Sequence, residues 1–166
     1  MQRSECVLTA RLKSIGTLFG LFPDNLDYGI SLATAEMLAG RHQEALPTIE
    51  SLRQLPPPVR DEPQIDLTEA YWAESLSDFK HEQTAASRAA ERGQALGARS
   101  LVARARLAQG TALWKLGQPD QALSAIREAR ETFASTGDRG GFAEALQASA
   151  EVLYSQGRAP SAKQQY

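Results

Sequence analysis

The sequence predicts an all-α protein, a stack of antiparallel helix pairs with about nine helices, and three observations lead there. Of its 166 residues, 27 are Ala and 20 are Leu, against only 9 Val plus Ile, a balance that favours helices over strands. Seven of the 8 prolines stand between apolar runs rather than within them, as breakers between helices do. Small residues also recur at long, regular intervals: Ala33 with Ala45, Ala73 with Ala85, Gly110 with Ala122 and Ala150 with Ala162. Each pair encloses a helix end, a turn and a new helix start, so the chain repeats.

The elements follow in order from apolar periodicity and from the breakers. A first helix over 3–20 carries Val7, Leu8, Leu12, Ile15, Leu18 and Phe19 on an amphipathic pattern, and Pro23-Asp24-Asn25 ends it. Helices over 26–39 and 42–55 are separated by Gly40, with Pro47 set uncomfortably deep for a free first-turn position, where it shifts the start or costs a hydrogen bond. Beyond the Pro56-Pro57-Pro58 break come helices over 64–79 and 82–96. The glycines at 97, 117 and 137, with Pro119 suited to a first turn, then divide helices over 98–116, 119–135 and 139–156. Gly157 and Pro160 precede a last, short helix over 159–166.

Inside each window the same grammar returns, as in Met37-Leu38-Ala-Gly-Arg-His-Gln-Glu-Ala45-Leu46, Leu113-Trp114-Lys-Leu-Gly117-Gln-Pro-Asp-Gln-Ala122-Leu123 and Leu153-Tyr154-Ser-Gln-Gly157-Arg-Ala-Pro-Ser-Ala162. These residues resemble the tetratricopeptide repeat, with a small residue in the first helix, alanine in the second and a closing proline. The resemblance covers nearly the whole chain, as a half repeat over 1–22, repeats over 23–63, 64–97 and 98–137, and a partial repeat over 138–166. Pro57 follows Pro23 by the usual 34 residues, whereas the second small residues are spaced by 40, 37 and 40, making these long variants. The resemblance implies a right-handed superhelical solenoid cut from a longer array. Segments such as Leu55-Pro-Pro-Pro-Val-Arg-Asp61 and Thr136-Gly-Asp-Arg-Gly-Gly141 further resemble repeat regions of bacterial multidomain regulators, in which the repeats follow a winged-helix DNA-binding domain or a Ser/Thr kinase domain.

Composition excludes several function classes. With 18 Lys plus Arg against 20 Asp plus Glu, the chain lacks the basic excess that follows nucleic-acid backbones, so no nucleic-acid contact is expected. No apolar run approaches the roughly 20 residues that span a bilayer, and the Met1-Gln-Arg-Ser start is unlike a signal peptide. No membrane insertion and a cytoplasmic location are therefore expected, or a periplasmic one behind an upstream transmembrane helix. A single cysteine, Cys6, allows neither an intrachain disulfide nor a cysteine-based zinc cluster.

Candidate chemistry reduces to solvated residues. His81-Glu82 would need a second histidine at 85 to hold zinc, and that position is Ala85; His42 occupies the same turn one repeat earlier, and both histidines are expected to be solvated turn residues. Glu74 and Asp78 lie one turn apart without a histidine to work with. Gly137-Asp-Arg-Gly-Gly141 lacks the Lys and Ser/Thr of a nucleotide loop. No enzyme, metal site or cofactor is expected.

What remains is shape and charge. In the family the first helix of each pair lines a concave groove, and its register places there Asp27, Ile30, Thr34 and Met37, then Leu67, Ala70, Glu74 and Asp78. It continues with Arg104, Leu107, Thr111, Trp114 and Lys115, then Glu144, Gln147, Glu151 and Tyr154. Trp114 and Tyr154 are candidate peptide anchors or core residues, while Trp72 reads as core. Family members that bind chaperone tails grip a carboxylate with Lys and Asn, and the matching positions hold Ile30 and Thr34, Ala70 and Glu74, Leu107 and Thr111, and Gln147 and Glu151. No such clamp is present. Residues 24–82 hold 12 acids and 4 bases, whereas 83–139 hold 5 acids and 9 bases, a polarity that suits either ordinary solvated faces or a partner of complementary charge. The expected function is a protein-protein interaction scaffold binding another protein, a peptide or an adjoining domain. The alternative is a ligand- or peptide-sensing domain controlling an attached DNA-binding or kinase domain. Apolar end helices also lead to an expected homodimer through exposed ends.

Overall fold

The computed structural model describes residues 2–157 and is helical throughout, with no strand among the described residues. Eight α-helices run in order: α1 Gln2–Leu21, α2 Leu26–Leu38, α3 His42–Arg53, α4 Pro63–Ser75, α5 Phe79–Ala95, α6 Arg99–Lys115, α7 Pro119–Thr136 and α8 Arg139–Ser155. A single 3-10 turn at Val59–Asp61 follows the proline run. The helix expected over 159–166 lies outside the described residues. Each helix packs against the next in sequence, which makes an all-α helical stack.

The turns share one device. At the ends of α2, α4, α5, α6 and α7 a backbone N–H donates five residues back, from Arg41 to Glu36, Asp78 to Ala73, Ala98 to Gly93, Gln118 to Leu113 and Asp138 to Phe133, at 2.8–3.0 Å. Closing that loop requires a left-handed residue, supplied by Gly40, Gly97, Gly117 and Gly137 but by Ser77 after α4. This exception displaced the sequence boundaries. Without a glycine there, the boundary between the helices expected over 64–79 and 82–96 falls earlier than the breakers indicate; α4 stops at Ser75, and Asp78 starts α5 by accepting the His81 N–H at 3.1 Å. Ser77 sits at φ 59°, where a Cβ costs about 1 kcal/mol. Ser77→Gly is therefore expected to raise the unfolding free energy by about 0.5 kcal/mol, net of glycine's extra chain entropy, as read by urea denaturation; a loss of stability would contradict this.

Pro47 stays inside α3 rather than shifting its start. The carbonyl it leaves unpaired, that of Gln43, lies near the exposed Pro47 itself, where water can reach it.

Packing explains the repeated small residues. Ala33, Ala45, Ala73, Ala85 and Ala122 are all fully buried, and a Cβ on Gly110 would come within 2.6 Å of Ile126 and 3.1 Å of the Ala122 carbonyl oxygen. The small residues are thus where one helix of a pair meets the other. The core is large at both ends and thin in the middle. Ile49, Leu52 and Ile65 pack together near the start, and Leu113, Ile126, Phe133 and Val152 near the finish. Between α4, α5 and α6 the buried side chains are mostly alanines: Ala70, Ala85, Ala86, Ala89, Ala90, Ala105 and Ala108. Alanine lets helix axes approach closely but removes little apolar area per residue, and the two most deeply buried carboxylates, Asp66 and Glu82, lie in this stretch.

Candidate binding groove

The even-numbered helices form a layer of their own, because α4 touches both α2 and α6, and α6 touches α8. Successive odd helices are joined mainly through the even helix between them. The even layer is therefore the tighter, inner side of the stack, and the odd layer is the outer side.

Two adjoining clefts open on the inner layer. The first, of roughly 160 Å³, lies between α4, α6 and α8 and is lined by Tyr71, Glu74, Arg104, Leu107, Ala108, Thr111 and Glu144. The second, of roughly 200 Å³, shares Leu107, Thr111 and Glu144 with it and extends to Gln147, Ala148 and Glu151. Arg104, Leu107 and Thr111 are spaced i, i+3, i+7 on α6, so one helical face supplies the floor of both. Together they make one groove from Tyr71 to Glu151.

Its electrostatics are set by burial. Arg104 forms an ion pair with Asp138 at 3.2 Å, which holds the guanidinium toward α8. Glu74 is an exposed residue of the cleft lining, yet desolvation raises its pKa against the opposing pull of Lys115. Behind the groove lies Glu82 of α5, only 1% exposed, accepting a hydrogen bond from the Thr111 hydroxyl at 3.1 Å. Loss of water, with the Glu74 charge adding to it, pushes the Glu82 carboxyl up to about 8. Near neutral pH it is largely a neutral acid.

The structure brings Glu74, Arg104, Thr111 and Glu151 together in this groove, and Glu74 and Arg104 line the same cleft, as their register on neighbouring first helices predicts. Other expected groove residues lie elsewhere. Leu67 and Ala70 are buried core, at 6% and 0% exposed, because α4 turns that face toward α5 and α6. Asp78 caps α5 rather than facing the groove, since the left-handed turn at Ser77 already ends α4. Thr34 lines a separate small cleft with Arg11, Ile30 and Leu38 between α1 and α2; Asp27 is an exposed first-turn acid of α2, and Met37 is half-buried near its end. Trp114 packs partly buried against the core of Leu113, Ile126 and Phe133 and donates its indole N–H to Ser155 at 3.1 Å. Lys115 Nζ stands 4.1 Å above the indole ring. Tyr154 is 80% exposed on α8. Trp72 is half-buried at the core edge, with its indole N–H on the His42 carbonyl at 2.8 Å.

The charged centre of the molecule was not foreseen. Asp66, fully buried on α4, accepts from Arg53 at 2.8 Å, Arg88 at 3.1 Å and Arg92 at 2.9 Å. One turn on, Glu69 pairs with Arg53 and Arg88 and lies 2.5 Å from His81 Nε2. Although desolvation opposes it, the hydrogen bonds from His81 and Arg53 and the charge of Arg53 hold the Glu69 carboxyl below its ordinary range. His81 is thus no solvated turn residue. It bridges to Glu69 and sits edge-on to Trp72, while His42 meets the Ser75 hydroxyl at 2.9 Å. Part of the uneven charge is matched here, since Arg88 and Arg92 of the basic half fold onto Asp66 and Glu69 of the acidic half. The available signal was the i, i+4 spacing of Arg88 and Arg92 on a helix next to an acid flanked by Ile65 and Leu67, which needs a partner if buried.

No group of three or more metal-ligating side chains occurs among the described residues, and no helix there is long and apolar enough to cross a membrane. No protein-family model matches the chain, and no curated protein is significantly similar to it.

Proposed function

We propose that the chain is a protein-protein interaction scaffold of the tetratricopeptide type, the repeat region of a bacterial regulatory protein, whose inner groove holds an extended segment of another protein or of an adjoining domain. The observation that carries this reading is the continuous groove across α4, α6 and α8, with apolar Leu107 between Arg104 and Thr111 in its floor and Glu74 and Glu151 at its sides. A few polar groups around an apolar floor are what fix the register of a bound peptide.

The test is a selection of binders from a displayed peptide library. Peptides that bind through the groove are expected to lose at least tenfold in affinity on Glu74→Lys in its wall and on Thr111→Arg in its floor, while the circular dichroism spectrum stays helical. If selected peptides bind both variants as they bind the parent, or if none is enriched, the groove is not a peptide site.

A further inference from the structure

A cleft roomier than either of the inner-layer clefts lies on the opposite side of the molecule, in the outer layer, where α5 and α7 are held apart with α6 as the floor between them. It has a volume of roughly 530 Å³ and is lined by residues from all three helices, within the range of small-molecule sites. We propose that this outer cleft binds a short zwitterionic peptide, with its carboxylate on Arg99 and its ammonium on Glu131. The proposal is independent of the inner groove, with which the cleft shares no residue.

Two ends of the cleft differ in their charge pairing. At one end Arg106 is already satisfied, by Glu128 at 3.3 Å and Gln109 at 2.8 Å. At the other, the Arg99 guanidinium donates only to the Ser135 hydroxyl, at 2.7 Å, and no carboxylate lies within ion-pair distance of it among the described residues. Glu131, on the facing wall, likewise has no cation within that distance among the described residues. An unmatched cation and an unmatched anion therefore share one cleft, a pattern that fits a ligand carrying both charges better than a simple anion or cation.

Spacing selects the ligand's length. Ser135, which marks the Arg99 end, is one helical turn beyond Glu131 on α7, about 6 Å along the axis. The termini of an extended dipeptide are separated by about 7 Å, whereas those of a free amino acid share one carbon and are too close to reach both sites. Arg99 offers the planar fork that takes a carboxylate with two parallel bonds. Val102 lines the cleft floor, placed to pack against peptide carbon, and the Thr132 hydroxyl, which donates to the Glu128 carbonyl at 3.0 Å, can still accept a hydrogen bond beside it.

The experiment titrates the isotopically labelled protein with alanyl-alanine, alanyl-leucine and leucyl-leucine and follows backbone amide resonances. Saturable shifts at Val102, Thr132 and Ser135 are expected for at least one of the three. Arg99→Ala and Glu131→Gln, both at exposed positions and checked for retained helicity, should each weaken binding tenfold or more, as should amidating the peptide's C-terminus or acetylating its N-terminus. Absence of shifts with all three peptides overturns the proposal, as does undiminished binding by either variant. Shifts confined to Leu107, Thr111 and Glu151 would place the peptides in the inner groove and would also overturn it.

Discussion

Asp66→Ala is expected to lower the unfolding free energy by about 3 kcal/mol, at the lower end of what removing one partner from a buried ion pair costs. Asp66 is fully buried and its two oxygens serve three arginines. Without it, Arg92 keeps only Asp61 at 4.0 Å, while Arg53 and Arg88 are left to share Glu69. The arginine side chains are 28–39% exposed, so water recovers part of the loss, which keeps the figure from the top of the range. For a domain of this size the melting temperature should fall by about 6–12 °C. Asp66→Asn, which keeps one acceptor, should lose less. A loss below about 1 kcal/mol for Asp66→Ala would mean that the network contributes little beyond what its arginines gain from water.

The second large effect is on pH dependence. Glu82 has a folded-state pKa of about 8 against an ordinary value of 4.5, so between those values the folded state binds the proton that the unfolded state has released. Stability must then fall as pH rises through this window and recover as pH is lowered, by at most about 1.4 kcal/mol per pH unit. Glu36, whose pKa burial also raises, acts in the same direction. Glu69 acts oppositely: its pKa is lowered, so its contribution is present above the ordinary carboxylate range and is lost as pH drops through the folded value. The two together place maximum stability at mildly acidic pH. Glu82→Gln, whose amide oxygen can still accept from Thr111, should flatten the decline above pH 5 and make the protein more stable than the parent at pH 8, by roughly 2–4 kcal/mol. Melting curves from pH 4 to 9 test this, and superimposable profiles for parent and variant would show that Glu82 ionises normally.

Glu82 also shows why one part of the molecule was legible in the sequence and another was not. Helix content, the pairing of helices and the places of close approach were determined by local features: the excess of Ala and Leu, the glycines that close the turns, and the small residues Ala33, Ala73 and Gly110 that recur where helices touch. Such features act within a few residues, through backbone conformation and side-chain size. Where a local cue was missing, as at Ser77, the boundary was misplaced by about three residues, because nothing in a serine announces a left-handed turn. The sharing of one helical face by Arg104, Leu107 and Thr111 was legible in the same way.

Burial of charge was decided by the tertiary structure alone. Glu82 and His81 have neighbours in sequence that suit a solvated face as well as an interior, Asp66 between Ile65 and Leu67 points to burial without naming a partner, and the partners Arg53, Arg88, Thr111 and Glu69 lie 12 to 29 residues away on other helices. Which of two faces of an Ala-rich helix turns inward depends on the neighbouring helices it meets. A carboxylate's pKa then depends on how much water those neighbours remove and which cations they bring. The same holds for the outer cleft, which exists because α5 and α7 stand apart across α6, a spacing set by the packing of three helices and carried by no single stretch of the chain.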